Sequence, residues 1–183
     1  MRIYFLSSNK YKIEEVSSIL GSSKIVIESV KMKIDEIQSA NIEDIACDKV
    51  IKAFEKIGHP VMVEQTGLYL RDFSLLPGGL TQLFWDALEA EKFCKYFGNT
   101  ETSQIIAKTL IAYCDGKRIH TFLGEINGIV ASSPKGDRTF QWDCVFIPEG
   151  NSKTFAEMGA YKNEISMRRK ALEKFKTFLE GQK

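Results

Sequence analysis

The chain has 183 residues, of which 44% are hydrophobic and 27% are charged. A chain of this length buries roughly 70% of its unfolded surface, so we expect one domain spanning residues 1–183. Lysine and arginine number 25 against 24 aspartates and glutamates, which leaves a net charge of +1. Such a balance excludes the strongly basic surface that is typical of proteins that bind nucleic acid.

The four cysteines are widely spaced, no two of them form a CxxC pair, and the chain has only two histidines. This pattern excludes the ligand spacing of a structural zinc site and predicts reduced thiols in a cytoplasmic protein. The apolar run at the N-terminus is too short for a signal peptide, and no apolar stretch reaches the ~18 residues of a membrane span. We therefore expect no membrane association.

The N-terminal segment predicts a strand, a polar turn and a helix. Arg2–Leu6 is an apolar run and Ser7–Asn9 is polar. The helical apolar face that follows is formed by Ile13, Val16, Ile19 and Leu20. Such a turn presents backbone N–H groups at a helix N-terminus, where an anion is stabilised, and Lys10 and Lys12 add positive charge. The alternative is that a serine caps the helix and that both lysines are solvated.

The next segment predicts a second strand, Lys24–Val30, and then a helix that starts near Ile42. Asn41 precedes this helix and Asp44 gives it an acidic first turn, which is typical of a capped N-terminus. Lys49 lies off the apolar stripe of the helix, where a lysine is usually solvated.

The stretch Val61–Gly79 combines a buried strand with polar groups in its middle. The apolar run is interrupted by Glu64–Gly67, and a glycine inside a strand marks either a bulge or the close approach of another backbone or a ligand. A carboxylate such as Glu64 is costly to bury without a cation. The interruption therefore indicates either a solvated bulge or a ligand site. Pro77–Gly79 predicts a loop with little side-chain bulk that suits a mobile or substrate-contacting segment.

The second half of the chain predicts a helix at Gln82–Phe97 and a hairpin at Ile105–Val130 that turns at Asp115–Lys117. A loop with aromatic residues then leads into another strand, and Trp142 in this loop is by itself consistent with a buried core residue. The last segment, Asn163–Leu179, predicts a helix whose charged residues form a solvated face. Strands mixed with helices predict an α/β fold with a mixed sheet.

Four blocks in a fixed order carry a resemblance to a known family. They are Ser7-Ser8-Asn9 with Lys12, the stretch Glu64 to Leu68 with Pro77-Gly78, the loop Phe140 to Asp143, and Lys162-Asn163 with Ser166 and Arg168. In this order, with the sequence TFAEM at Thr154 to Met158 before the last helix, the chain resembles the inosine triphosphate pyrophosphatase family. The blocks span nearly the whole chain.

The resemblance implies an elongated mixed β-sheet flanked by helices, with two lobes around a central nucleotide-binding cleft. It also implies a homodimer that hydrolyses ITP, dITP and XTP to monophosphate and pyrophosphate with Mg²⁺. Lysines suit a triphosphate, oxygen ligands suit magnesium and an aromatic face suits a purine, so the residue types agree with this chemistry.

The positions that match the family's motifs imply a role for each residue. The triphosphate would be held by Ser7, Asn9, Lys12 and Lys49. Magnesium would be held by Glu36 and Glu64, and the catalytic pair would be Glu64 and Gln65. The base and sugar would be bound by Phe140, Trp142 and Asp143, and the oxo edge of the purine by Lys162, Ser166 and Arg168.

Departures from the family's pattern affect the expected chemistry. Gln65 stands where the family has the second carboxylate of an acidic pair, and an amide neither accepts a proton from water near neutral pH nor binds magnesium well. Met167 replaces the histidine of a Ser-His-Arg motif, Gln141 replaces a small residue and Cys144 replaces a proline.

Two hypotheses about function follow from these departures. The first, which these losses favour, is a catalytically impaired nucleotide sensor that acts through an effector protein; the second is an active pyrophosphatase in which Glu64 or Glu36 activates water.

Overall fold

The computed structural model describes residues 1–21, 25–98 and 103–181. Its strands are β1 Arg2–Leu6, β2 Val26–Val30, β3 Val61–Leu70, β4 Pro77–Gly78, β5 Gln104–Cys114, β6 Ile119–Val130 and β7 Phe146–Pro148. Its helices are α1 Lys10–Leu20, α2 Ile42–Ile57, α3 Thr81–Phe97, α4 Phe155–Met158, α5 Lys162–Ile165 and α6 Met167–Gly181. Short 3₁₀ turns cover Arg71–Phe73, Gln141–Cys144 and Gly159–Tyr161.

The strands form a mixed sheet in the order β2-β1-β3-β5-β6-β7, with β4 added on the free edge of β3. β2, β1 and β3 run parallel to their neighbours, whereas β3, β5, β6 and β7 are joined by antiparallel pairs. The predicted turn between β5 and β6 is confirmed, because the backbone N–H groups of Lys117 and Arg118 donate to the carboxylate of Asp115. The predicted α/β fold with a mixed sheet is confirmed as well.

One edge of β3 is shared by two strands, and this arrangement creates the cleft. β1 pairs with β3 only as far as Met62, and β4 pairs with it from Leu68 onward. The middle of β3, Glu64–Gly67, lies between these two pairings, while the other edge of β3 stays in register with β5 from end to end. A long strand therefore forms the floor of an opening between β1 and β4.

Three groups of buried apolar residues surround this floor. α1 and α6 pack on one face of the sheet, over Met62 and Ile111, and α2 packs on the other face, over Val63 and Leu110. The third group lies at the far end of the sheet, among α3, α4, β7 and the 3₁₀ turn Gln141–Cys144. Two lobes were implied by the resemblance. The first two groups form one lobe, the third group forms the other, and the opening lies between them. No helix in the described ranges is long and apolar enough to cross a membrane.

The structure corrects the expectations for the centre of the chain. β3 has no bulge at Gly67; the glycine is required because a Cβ there would lie 2.5 Å from the carbonyl oxygen of Gly78. Pro77 and Gly78 are buried and form β4, so part of the predicted loop is a strand that packs against this glycine. The alternative of a close backbone approach is therefore the right one.

Helix termini also differ from expectation. Asn9, and neither preceding serine, caps α1, because its side chain accepts the backbone N–H of Lys12. The last predicted helix is two helices, since Ser166 between α5 and α6 has an extended backbone. β2 begins at Val26, and the predicted start at Lys24 lies outside the described residues. α2 begins at Ile42 with Asn41 as its cap, as predicted.

Candidate active site

The opening above β3 is a cleft of about 560 Å³ that collects most of the predicted site residues. Those that line it are Ser7, Asn9, Lys12, Glu36, Lys49, Glu64, Gln65, Phe140, Trp142 and Arg168. A second chamber of about 610 Å³ adjoins it and is lined by Asp143 and Lys162, with Phe140 and Arg168 shared between the two. We call them the first and the second chamber. Residues that lie up to 161 positions apart in sequence, from Ser7 to Arg168, thus meet in one site.

Ser166 is the predicted site residue that lines neither chamber. It is fully buried, and its hydroxyl accepts the backbone N–H of Arg169 at 3.1 Å. Ser166 therefore acts as a cap for α6, and through that helix it fixes the position of Arg168.

Arg168 is the centre of a buried ionic cluster. Its guanidinium binds Glu64 through two hydrogen bonds, Nε to Oε2 at 2.8 Å and Nη2 to Oε1 at 3.2 Å, and donates from Nη1 to Glu15 at 2.8 Å. Lys12 adds a contact from Nζ to Glu64 Oε1 at 2.9 Å. The expectation that the charged residues of the last segment form a solvated face is wrong for Arg168, since planar, bidentate pairing compensates its burial.

Glu64 and Arg168, at the centre of the cluster, are both ionised. Burial opposes the charge on Glu64, but the cations of Arg168 and Lys12 outweigh it and hold the pKa of this carboxyl far below its ordinary range. Burial also opposes the charge on Arg168, and the carboxylates of Glu64 and Glu15 raise the pKa of the guanidinium above its ordinary value. Glu64 is therefore a fixed negative charge, and a weakly basic one.

The N-terminus of α1 faces the first chamber. Asn9 caps the helix and its own N–H donates to the Ser7 hydroxyl at 3.2 Å, so the polar turn is ordered by local hydrogen bonds. Lys12 lies in the first turn of the helix, and its side chain is 24% exposed. The alternative of a serine cap with solvated lysines is wrong for this turn, because Asn9 is the cap and Lys12 is paired with Glu64. That the turn binds an anion stays a prediction.

A second ion pair lies at the rim of the first chamber. Lys49 Nζ contacts Glu36 Oε1 at 2.5 Å, and the Glu36 side chain is 38% exposed. The neighbouring Lys52 donates from Nζ to the carbonyl oxygen of Asp35 at 3.0 Å, which holds the segment of Glu36 against α2. Lys49 is thus paired at the cleft, so the expectation of a merely solvated lysine is wrong.

Glu64 and Gln65 project from opposite faces of β3. Residues opposite each other on neighbouring strands share a face, and Glu64 pairs with Ile111 whereas Gln65 pairs with Leu110. Ile111 packs with α1 and α6, and Leu110 packs with α2. Gln65 is therefore on the side of Lys49 and Glu36, away from the cluster around Arg168.

The second chamber contains a buried pair. Lys162 donates to Asp143 Oδ2, and its ammonium lies 4.1 Å from the centroid of the Phe140 ring. Burial raises the pKa of the Asp143 carboxyl and lowers that of the Lys162 ammonium, and each partner opposes the shift of the other. Among the described residues, Asp143 Oδ1 and Glu15 Oε1 are the buried side-chain oxygens and nitrogens that have no hydrogen-bond partner. Both belong to residues that line this chamber.

Trp142 is only 5% exposed. Its ring packs edge-on against Phe146, with centroids 5.9 Å apart, and lies 6.4 Å from Phe155. Most of the ring therefore belongs to the group of buried residues at the far end of the sheet, as expected for a buried core tryptophan. One side of the residue reaches the first chamber.

Two contributors to the site were missed by the sequence interpretation. Glu15 is buried against Arg168, and the signal for it was its position three residues after Lys12, which places both on one face of α1. The Thr66 hydroxyl donates to Glu64 Oε1 at 3.2 Å, and it is also hydrogen-bonded to the Thr109 hydroxyl at 2.8 Å. Its signal was the alternation of β3, which puts it on the face of Glu64.

The oxygen ligands present are compatible with magnesium held partly by a substrate. No cluster of three metal-binding side chains occurs in the part of the chain that the structure describes. Magnesium in nucleotide enzymes is usually bound by one or two carboxylates together with substrate phosphates and water. Glu36 and Glu64 both line the first chamber, but only Glu36 is partly exposed, whereas the oxygens of Glu64 already accept from Arg168 and Lys12. Glu36 would therefore hold the metal together with the phosphates, and Glu64 would join as a second ligand after releasing Lys12.

Comparison with known proteins places the chain in a family. The model of the Ham1 family matches residues 3–178. A dITP/XTP pyrophosphatase of Methanopyrus kandleri is 36% identical over 177 residues, which cover 96% of this chain and 94% of the relative. An inosine triphosphate pyrophosphatase of Aspergillus fumigatus is 38% identical and covers 98% of this chain and 95% of the relative. The Staphylococcus aureus Ham1 protein superimposes with a TM-score of 0.85 at 24% identity over the full length of both chains. The resemblance is thereby confirmed, and the chain belongs to the Ham1 family.

Proposed function

We propose that this chain binds a deaminated purine nucleoside triphosphate of the dITP, ITP and XTP class and hydrolyses it to the monophosphate and pyrophosphate. The observation that carries the proposal is the pair of joined chambers, with lysines and a helix N-terminus in one and a buried Asp143–Lys162 pair beside an aromatic ring in the other. Relatives that match nearly the whole chain are named as dITP/XTP and inosine triphosphate pyrophosphatases, which favours hydrolysis over the sensor hypothesis.

The phosphates would occupy the first chamber. Asn9 caps the N-terminus of α1, and the free backbone N–H groups of the first turn would face a bound anion. Lys12 adds a point charge that Glu64 already orients. Lys49 supplies a second cation once a phosphate replaces Glu36 as its partner. This exchange is inexpensive because the rim pair is partly exposed.

The base would occupy the second chamber. The unpartnered oxygens of Asp143 and Glu15 are acceptors that would receive N–H donors of a purine, while Arg168 and Lys162 present donors for its oxo groups. A buried carboxylate oxygen without a partner costs free energy. Filling it with a ligand donor therefore favours binding of a base that carries such a donor.

Hydrolysis needs a water molecule to be oriented and a proton to be removed from it. Magnesium bound at Glu36, Glu64 and the phosphates would neutralise phosphate charge and make the water more acidic. Gln65 accepts no proton near neutral pH, and Glu64 is a weak base because Arg168 and Lys12 hold it ionised. This leaves Glu36 to accept the proton, and we expect turnover to be slow because the amide of Gln65 occupies the position of a carboxylate.

The sensor hypothesis is the second candidate. Gln65 favours it, together with the engagement of both Glu64 oxygens by Arg168, because neither residue then acts as an efficient base. In that case the protein would bind the nucleotide, return it intact and pass on the occupied state through an effector protein. The homodimer, the effector and the cytoplasmic location stay predictions.

Incubation with dITP and magnesium separates the two candidates when pyrophosphate release and retained nucleotide are followed together. Catalytic turnover, with many pyrophosphates released per protein chain, is the expected result. Binding of intact dITP without release would instead establish the sensor. A protein that neither binds nor hydrolyses dITP, ITP or XTP would overturn the proposed substrate class.

A further inference from the structure

Tyr11 is an aromatic residue on the exposed side of the first turn of α1, between Asn9 and Lys12. Its side chain is 68% exposed, and a single exposed aromatic residue needs no explanation of its own. The position of the ring is the informative feature. It lines both the first and the second chamber, and it contacts the opposite wall of the cleft.

The contact is made with Phe140, which precedes the 3₁₀ turn on the far side. The ring centroids of Tyr11 and Phe140 are 6.2 Å apart and the ring planes are nearly perpendicular, at 82°. Phe140 also has the Lys162 ammonium over its ring, at 4.1 Å from the centroid. Phe140 also lines both chambers, so its ring lies where they meet.

Thr139 and Arg168 are the other residues that line both chambers, so these residues form the junction together with Tyr11 and Phe140. A nucleotide with its phosphates near Lys12 and its base near Lys162 must have its sugar and glycosidic bond at this junction. It must therefore pass against Tyr11 and Phe140. A tyrosine ring offers a large contact area and loses little conformational entropy on binding, because it has only two side-chain torsions.

We propose that Tyr11 is a nucleoside-binding residue whose ring packs on the base and sugar at the junction, opposite Phe140. This inference rests on the proposed nucleotide-binding function and adds to it a wall from α1, which otherwise provides contacts to phosphate. It predicts that two neighbouring residues of one helical turn bind different parts of the ligand: Lys12 binds the phosphates and Tyr11 binds the nucleoside. A residue that only holds the two walls together would not distinguish between these two halves of the ligand.

The test uses half-ligands, each of which represents one end of the nucleotide. Calorimetric titration with IMP measures the nucleoside end, and titration with inorganic tripolyphosphate measures the phosphate end. For Tyr11→Ala we expect IMP affinity to fall about 5- to 100-fold, the range typical of one lost aromatic contact to a base, and tripolyphosphate affinity to stay within about twofold. Tyr11→Phe should bind IMP like the parent. Tyr96→Ala removes an aromatic residue of similar exposure, 56%, outside the cleft, and should change neither affinity.

Unchanged IMP affinity in Tyr11→Ala, or equal losses for IMP and tripolyphosphate, would overturn the assignment of Tyr11. The proposed function fails in a different way, because a parent protein that binds neither IMP nor ITP would remove both proposals together. A parent that binds both ligands while Tyr11→Ala behaves like it would remove only the role of Tyr11.

Discussion

Two ion-pair systems lie on the same cleft and differ in almost every property. The cluster of Arg168 with Glu64, Glu15 and Lys12 is largely buried, and its ion pairs join α1, β3 and α6. The pair of Lys49 with Glu36 lies at the rim, and Glu36 is 38% exposed. The comparison indicates that the buried cluster fixes the shape of the site, while the rim pair is free to exchange its partners with phosphate or metal.

A carboxylate placed near the rim should have the largest effect. Gln65 lies on the face of Lys49 and Glu36, so Gln65→Asp would add a base that is not neutralised by the buried cluster. We expect pyrophosphate release from dITP to rise about 100- to 10,000-fold, the usual contribution of a positioned general base.

Gln65→Asn is the matched control, since it shortens the side chain equally without adding charge. The double change with Met167→His tests whether the second departure matters as well. Equal rates for Gln65→Asp and Gln65→Asn would show that Gln65 does not limit hydrolysis.

Removing one acid from each system tests the comparison directly. Glu64→Gln leaves Arg168 with one carboxylate in a buried setting, and breaking such a pair typically costs about 3–5 kcal/mol of unfolding free energy. Glu36→Gln should cost only about 0–1 kcal/mol because its pair is partly exposed. Urea unfolding of both variants measures the two values. Similar losses would mean that the rim pair is as structural as the buried cluster.

Lysine substitutions should separate triphosphate from monophosphate. Lys12→Ala removes a charged donor, which is worth about 1.5–3 kcal/mol, and we expect ITP affinity to fall accordingly while IMP affinity changes little. Titration calorimetry with both nucleotides is the measurement. Lys10→Ala is the control, because Lys10 is on the same turn but its side chain is 85% exposed and pairs with Glu14. Losses of the same size for ITP and IMP would take Lys12 out of phosphate binding.

The smallest expected effect concerns pH. The pKa of Glu64 is lowered in the folded protein, so its ionic contribution to stability is fully present above the ordinary glutamate pKa of about 4.3 and is lost as the pH falls below it. The stability difference between the parent and Glu64→Gln should thus be constant from neutral pH to about pH 5 and shrink below about pH 4. Denaturant titrations at several pH values measure it. A difference that shrinks already between pH 7 and pH 5 would contradict the lowered pKa.

The fold was predictable from the sequence where its signals are local. The cap at Asn41, the turn at Asp115–Lys117 and the apolar run of β1 each depend on a few neighbouring residues, and each is found as expected. The resemblance of four short blocks pointed to most of the residues that line the two chambers, although Ser166 lines neither and Glu15 and Thr66 were missed.

Other features depend on distant partners and could not be predicted from local pattern. Arg168 reads as part of a solvated face, and its burial follows only from carboxylates 104 and 153 positions away. In the sequence Gly67 looks like an interruption of a strand. The requirement for glycine there comes from the close approach of Gly78, which lies on a strand only two residues long. Long-range pairing of charges and close backbone contacts thus set the limit of the sequence interpretation.

The shared edge of β3 has a spectroscopic consequence. The backbone N–H groups of Leu68 and Leu70 point away from β5, since they donate to Thr81 and Leu76. By the twofold alternation of a strand, the N–H of Thr66 points to the same edge, between the end of β1 and the start of β4. This amide belongs to a central strand and yet faces the cleft. Its chemical shift and its rate of hydrogen–deuterium exchange therefore report ligand occupancy at the floor of the site without an attached probe.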